Sequence, residues 1–354
     1  MLIINCRFLS QKITGTQKFA IEICKEIKKQ NKNVLFLSNP NILQKEIASN
    51  LEVKIVGEKS YKLFKFLKLP SGLLWEQLIL PLYIKKYYPN AKLLNLINLA
   101  PILCENNYVV LHDVAFKKYP EFFKKIFLLV YNILVPIILK RAKKVFTVSE
   151  FSKSEITNFF KIDNKKIEVI YNAIDNVENK KTKAMNNEKY ILAVGSLEPR
   201  KNMLRLIDAI SQQDKYKLII VGEQNSKVFN GKINIDKVDN IEFTGYVDDK
   251  TLNELYNNAT VFVYPSIYEG FGIPPLEAQK FGIPVILSDI EVFHEVYGNS
   301  VYYVDPYNNK SILNGILRVI EDKNLQKKLM LAGYENIKKY SWRKSTKKIL
   351  NILK

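Results

Sequence analysis

Residues 260–289 read TVFVYPSIYEGFGIPPLEAQKFGIPVILSD. Thr260 to Tyr264 is a run of β-branched and aromatic residues, as a buried strand requires, and Pro265 stops it because proline has no N–H for the ladder. Pro274 and Pro275 suit the first turn of a helix, where a missing amide is no loss, and Leu276 to Phe281 continues in good helix formers. PVILSD at 284–289 is a second strand. Strand, loop, helix, strand predicts a βαβ unit and therefore parallel pairing. Glu269 falls on the loop and Glu277 in the helix's first turn. Between them lie the amides of Phe271, Gly272 and Ile273, at a helix N-terminus that favours an anion such as phosphate. This spacing suits a ligand carrying both hydroxyls and phosphate. A dipole-stabilised Glu277 and a solvated Glu269 account for it equally.

The same alternation runs outward along the chain. Apolar runs at 2–5, 33–38, 51–57, 92–98, 107–113, 144–149 and 167–172 are separated by amphipathic segments such as Lys18 to Lys29. A polar Asn- and Lys-rich stretch, Ala173 to Glu188, reads as a linker, and a second series follows at 190–196, 216–222, 241–246, 260–266, 284–289 and 301–306. The pattern predicts an α/β protein of two tandem Rossmann-like, doubly wound domains, residues 1–172 and 173–337, with an interdomain cleft. Ligands of such sheets bind beyond the carboxyl ends of the strands.

Composition sets the limits. A chain of 354 residues is about twice a usual single domain, and 47% apolar residues argue against disorder. Cys6, Cys24 and Cys104 are odd in number and scattered, which argues against a disulfide framework or structural zinc and fits a reducing cytoplasm. No signal peptide opens the chain. Ile126 to Leu139 is apolar but too short to span a bilayer, and reads as a buried helix, with interfacial insertion as the alternative. The net charge of +19 is uneven: residues 1–180 hold 29 basic and 15 acidic groups, leaving 25 and 20 for 181–354. This excess favours an anionic partner, a membrane leaflet or an acidic substrate, unless it is a bias of the proteome. The lysines are dispersed and no nucleic-acid-binding signature accompanies them, so no nucleic acid partner is expected.

Strand ends supply further candidates. Gly195 opens GSLEPRKN at 195–202, where Arg200 and Lys201 stand between a strand and the helical stretch Met203 to Ile210, well placed for a pyrophosphate. A solvated Arg-Lys pair is the bland alternative. Gly222-Glu223 and Gly245-Tyr246-Val247 are turns where a base could stack. Gly15 and Thr16, in a loop opening a helix, could meet phosphate or sugar, and GxGxxG is absent there. His112 and Asp113 close a strand, while His294 lies in an acidic helix and reads as structural.

These motifs, in this order, resemble family 4 glycosyltransferases of the GT-B fold, of the mannosyltransferase-like type that builds bacterial surface glycans. TGTQKFAIEI, VLHDVAF, FTVSEFSKSEI, VIYNAID, AVGSLEPRKN, FTGYVDD, YPSIYEGFGIPPLEA, GIPVILSD and YSWRKS carry the resemblance across nearly the whole chain. It implies that Glu277 binds the ribose of a nucleotide sugar, Arg200 and Lys201 its pyrophosphate, and the Tyr246-Val247 turn its base. Glu269 with the Phe271–Ile273 amides would hold the transferred sugar, while His112 and the Gly15 loop face the reacting centre from the acceptor domain. It further implies retention of configuration, no metal (no Asp-x-Asp triplet occurs), a GDP-mannose or UDP-hexose donor, and a lipid-linked or glycan acceptor at the inner face of the cytoplasmic membrane. A last helix, about 338–354, would cross back to the first domain. Two positions depart from the pattern: Ala173 stands where the family usually has Gly, and His294 where it has Pro. A sugar-nucleotide epimerase or a non-catalytic sugar-binding subunit would share the fold.

Overall fold

The computed structural model describes residues 1–174, 189–222 and 240–354. Most of the expected linker, residues 175–188, and Glu223 lie outside the described residues. The chain forms two compact units: Met1–Asn172 together with Ser341–Lys354, and Ala173–Tyr340.

The first unit holds a parallel sheet of β1 (Leu2–Asn5), β2 (Val34–Ser38), β3 (Lys54–Ile55), β4 (Lys92–Asn95), β5 (Asn107–Val110), β6 (Lys144–Thr147) and β7 (Ile167–Val169), in the order β3-β2-β1-β4-β5-β6-β7. The second holds β8 (Tyr190–Val194), β9 (Lys217–Val221), β10 (Ile241–Gly245), β11 (Val261–Tyr264), β12 (Val285–Ser288) and β13 (Tyr302–Val304), in the order β10-β9-β8-β11-β12-β13. Every expected strand is present. β3 is cut to two exposed residues because it is an edge strand, with neighbours on one side only. In both sheets the order reverses beside the first strand, β1 or β8, so the loops that follow these strands diverge and leave room above the sheet.

Helix Gly15–Gln30 follows β1 and buries Phe19 and Ile23. The closing helix Trp342–Ile352 packs in the same unit, with Trp342 edge-on to Phe19 at 5.8 Å between ring centroids. Cys6, Cys24 and Cys104 are free and buried, and burial pushes the Cys104 thiol up to about 12.

The segment at 126–139 departs from the buried helix expected of it. It is helical from Lys125 to Arg141, but only Val135, Ile138 and Leu139 are buried, while Ile126 is 73% exposed and Leu129 60%. A helix apolar all round gives no periodic signal of which stripe meets the core. Here the sheet takes one stripe and the rest faces outward.

Candidate active site

In the second unit the site begins where β8, β9 and β10 end. Gly195 N–H donates to Val221 O and Gly222 N–H to Gly245 O, both at 2.9 Å, so the three strand ends are stitched together. A Cβ on Gly222 would stand 2.2 Å from Gly195 O, an approach that only glycine permits. Beyond Gly195 the chain turns through Pro199–Lys201 into helix Met203–Ile210, with Asn202 in the left-handed region at φ 58°. The buried Asn202 Nδ2 donates to Pro265 O at 3.0 Å and Pro306 O at 2.7 Å, and Ile267 N–H donates to Arg200 O at 2.9 Å. The Arg200-Lys201 turn is thereby fastened to the loop after β11, which carries Glu269.

The three charged side chains meet. Lys201 Nζ lies 2.5 Å from Glu269 Oε1 and 2.6 Å from the Tyr264 hydroxyl, and Arg200 reaches Glu269 Oε2 at 3.4 Å. Burial raises the Glu269 pKa, but the adjacent Lys201 and Arg200 charges outweigh it and hold the carboxyl below its usual range. Burial is also the main force lowering the Lys201 pKa, with Glu269 opposing. Arg200 also pairs with the half-exposed Glu198 at 2.9 Å. An exposed pair of this kind contributes only about 0–1 kcal/mol, so a phosphate can take the guanidinium's fork at small cost.

Glu277 is placed differently from the first-turn position expected of it. The helix spans Ile273–Lys280 with Gly272 as its cap, so Glu277 is the fifth helical residue, past the turn where the dipole acts strongly. Both prolines and Ile273 precede Leu276, so the helix starts earlier than the prolines alone indicate. Glu277 Oε2 receives the Tyr256 hydroxyl at 3.2 Å. The two prolines have no N–H, which leaves the amides of Phe271, Gly272 and Ile273 as this terminus's donors for an anion. The Phe271 side chain is buried against Tyr340 at 5.4 Å between centroids, and Gly272 O accepts the Tyr297 hydroxyl. Tyr246, after β10, is 80% exposed with Val247 beside it, an open aromatic face at a strand end.

The model for Glycosyl transferases group 1 matches residues 175–336, and that for Glycosyltransferase Family 4 matches residues 13–177. The chain belongs to the family 4 glycosyltransferases. The O-antigen chain mannosyltransferase RfbU of Salmonella typhimurium is 37% identical over 224 residues, 61% of this chain and 62% of that protein. The O-antigen chain mannosyltransferase B of Escherichia coli is 29% identical over 275 residues, 72% of this chain and 71% of that one. The chain thus spans less than two thirds of the length of the Salmonella relative. Two solved structures share the fold: Anabaena HepE in complex with UDP and glucose (TM-score 0.75, 17% identity, 99% of this chain and 98% of that) and WaaG, a glycosyltransferase involved in lipopolysaccharide biosynthesis (0.70, 12%, 99% of each). The fold is GT-B.

In the family's first unit, two further expected groups follow β1 and β5. Gly15 and Thr16 are the first residues of a 16-residue helix, Gly15 exposed and Thr16 half-buried. The buried Gln17 side chain accepts from Thr14 N and Thr16 Oγ1, both at 3.1 Å, and donates to Gln11 at 2.6 Å, setting the shape of this loop. His112 stands two residues past β5, buried, with Nε2 at 3.0 Å from Leu96 O and its ring edge-on to Phe19 at 4.9 Å. Facing a carbonyl, Nε2 must donate, so in the neutral ring Nδ1 keeps the lone pair. Burial lowers the His112 pKa against the pull of Leu96 O and the Asp113 charge. Asp113 Oδ1 accepts the N–H of Ala115, the first residue of the short helix Ala115–Lys118, at 3.0 Å. His294, read as structural, meets Asp289 at 2.5 Å and stacks on Tyr303.

Three contributors escape sequence reading. Tyr264 is a strand residue whose hydroxyl meets Lys201, Asn202 pins two loops, and Gln17 shapes the Gly15 loop. Only Asn202 carried a signal, as a residue tolerant of positive φ directly before a helix.

Proposed function

We propose that this protein is a retaining glycosyltransferase that moves a hexose, mannose favoured, from a nucleotide sugar to a lipid-linked or glycan acceptor in the synthesis of lipopolysaccharide, capsule or another surface polysaccharide. The observation carrying this reading is the buried ionised Glu269 between Lys201 and Arg200 at the strand ends of the second unit. The mannosyltransferase names of the relatives and the UDP bound by HepE point the same way.

Arg200 forks onto the donor's pyrophosphate and Lys201 supplies a point charge, so negative charge that develops on the leaving phosphate meets fixed cations. Glu269 accepts hydroxyl hydrogen bonds from the transferred sugar, with the Phe271–Ile273 amides beside it. Glu277 takes the ribose hydroxyls, and Tyr246 and Val247 the base. In the first unit, His112 can accept a hydroxyl hydrogen bond at Nδ1, and the Gly15 and Thr16 amides can meet a phosphate or a sugar. Asp113 supports His112 through charge. The bond from the anomeric carbon to the phosphate oxygen breaks as the acceptor oxygen bonds on the same face. The acceptor's proton passes to the departing phosphate, which leaves as a nucleoside diphosphate. No metal is required.

The excess positive charge of the first half supports a location at the inner face of the cytoplasmic membrane, where a lipid-linked acceptor would lie. Among the described residues no helix is long and apolar enough to cross it. A panel of GDP-, UDP- and dTDP-sugars tests the reading, with released nucleotide and product anomer followed by NMR. GDP-mannose should be fastest, the product should keep the donor's configuration, and EDTA should leave the rate unchanged. Conversion of one donor sugar into another without nucleotide release would refute transfer.

A further inference from the structure

Two segments of the first unit leave apolar side chains in solvent. Helix Glu58–Phe66 and its continuation to Pro70 expose Leu63 (54%), Phe66 (83%), Leu67 (53%) and Leu69 (44%), while Tyr61 alone of the helix is buried. Lys59, Lys62, Lys65 and Lys68 recur every third residue among them, all exposed. The second segment is helix Lys125–Arg141, whose outward stripe holds Ile126, Leu129, Ile133 and Ile137, with exposed Lys124 and Lys125 at one end and Lys140 and Arg141 at the other.

Both segments cover the same face of the sheet. Ile3 pairs with Leu93, Asn95 with Val109, Val109 with Val145, and Val145 with Ile167, so by period-two alternation these side chains share a side. Ile3 and Leu93 lie in the core cluster that includes Tyr61 and Trp75, and Val109 and Val145 in the cluster that includes Val135 and Ile138. Leu73, three residues past Pro70, packs against this second cluster, which joins the two segments. Right-handed crossovers from β3 to β4 and from β5 to β6, both stepping the same way along the sheet, require the same placement.

We propose that this face docks on an anionic lipid bilayer. Phe66, Leu67, Leu129 and Ile133 enter the boundary between headgroups and acyl chains, and the interleaved lysines meet lipid phosphates. Lysine is depleted in the cores of protein interfaces, so a lysine every third residue among exposed apolar side chains fits a lipid surface better than a protein partner. The +14 of residues 1–180 adds long-range attraction. This deepens the membrane location proposed above and rests on it. It does not rest on the donor chemistry, which unit 2 carries.

The test is flotation of the full chain with vesicles of phosphatidylglycerol and phosphatidylethanolamine, or of phosphatidylcholine alone, at low salt. Phe66→Ser/Leu67→Ser and Leu129→Ser/Ile133→Ser are compared with the parent, with circular dichroism confirming folding and donor turnover on a soluble acceptor measured in parallel. The parent should float with the anionic vesicles only. Each pair of substitutions should cut its vesicle partition coefficient about tenfold, with soluble turnover unchanged. Failure of the parent to float, equal flotation with phosphatidylcholine, or undiminished flotation of both variants would overturn the proposal. So would a parent dimer that the substitutions dissociate, since a second copy would then cover this face. Flotation and turnover are separate readouts, so either reading can fail alone.

Discussion

Lys201 and Glu269 hold each other in a charged state that neither would keep alone at such burial. Removing Lys201 leaves the buried Glu269 with only the longer Arg200 contact at 3.4 Å, and losing the closer partner of such a pair costs up to about 3–5 kcal/mol. Lys201→Ala should therefore lower unfolding stability by that amount in urea titration and reduce donor turnover about 100-fold or more. Lys201→Met/Glu269→Gln removes both charges at similar volume, and its stability should return to within about 1–2 kcal/mol of the parent. The same pair sets a pH dependence. The folded-state pKa of Glu269 is depressed, so its contribution to stability is complete above the ordinary carboxylate value of about 4.3 and is lost as pH falls through the folded value. His112 is likewise depressed, so its contribution is complete above about 6.5 and declines as pH falls below that. Thermal melts of the parent should weaken in both windows. Glu269→Gln should lose the lower step only, and a melt curve flat from pH 7 to pH 3 would contradict both assignments.

Among elements, the loops after the strands place the charges, and their anchors are specific. Asn202→Ala should cost about 1–3 kcal/mol, since Pro265 O loses its side-chain donor and Pro306 O keeps only Arg205 at 3.2 Å, and it should raise the donor KM as the Arg200-Lys201 turn loosens. Gly222→Ala forces a Cβ onto Gly195 O, so the strand ends must part, and it should destabilise the second unit more than Asn202→Ala does. Comparable melting temperatures for Gly222→Ala and the parent would refute the close approach. At this scale much was legible in advance: each strand announces itself by a short apolar run, and helix Met203–Ile210 matches its expected bounds. What stayed hidden depended on partners distant in sequence. Tyr264 looks like any core strand residue until Lys201 is brought beneath it. The sequence puts Glu277 one turn too early because a double proline permits several helix starts. The outward face of helix Lys125–Arg141 is invisible in an apolar run broken only by Asn132 and Pro136.

At the scale of the whole molecule the chain pairs two parallel sheets, and its last residues return to the unit where it began. Trp342, Thr346 and Ile349 are buried there, and Ser345 Oγ and Lys348 Nζ donate to Tyr171 O and Val169 O at 2.7 and 2.9 Å. Ending the chain after Tyr340 should therefore unfold the first unit at lower temperature while nucleotide binding in the second persists, seen as two separate calorimetric transitions. On the proposed reading, donor chemistry in the second unit and membrane docking by the basic, apolar face of the first divide the work. Lys201 and Glu269 are proposed to hold the donor for transfer. The most direct measurement is nucleoside diphosphate release from GDP-mannose by Lys201→Met/Glu269→Gln, shown to be folded, beside the parent. A fall of about 100-fold or more is predicted, and release at the parent's rate would contradict the account.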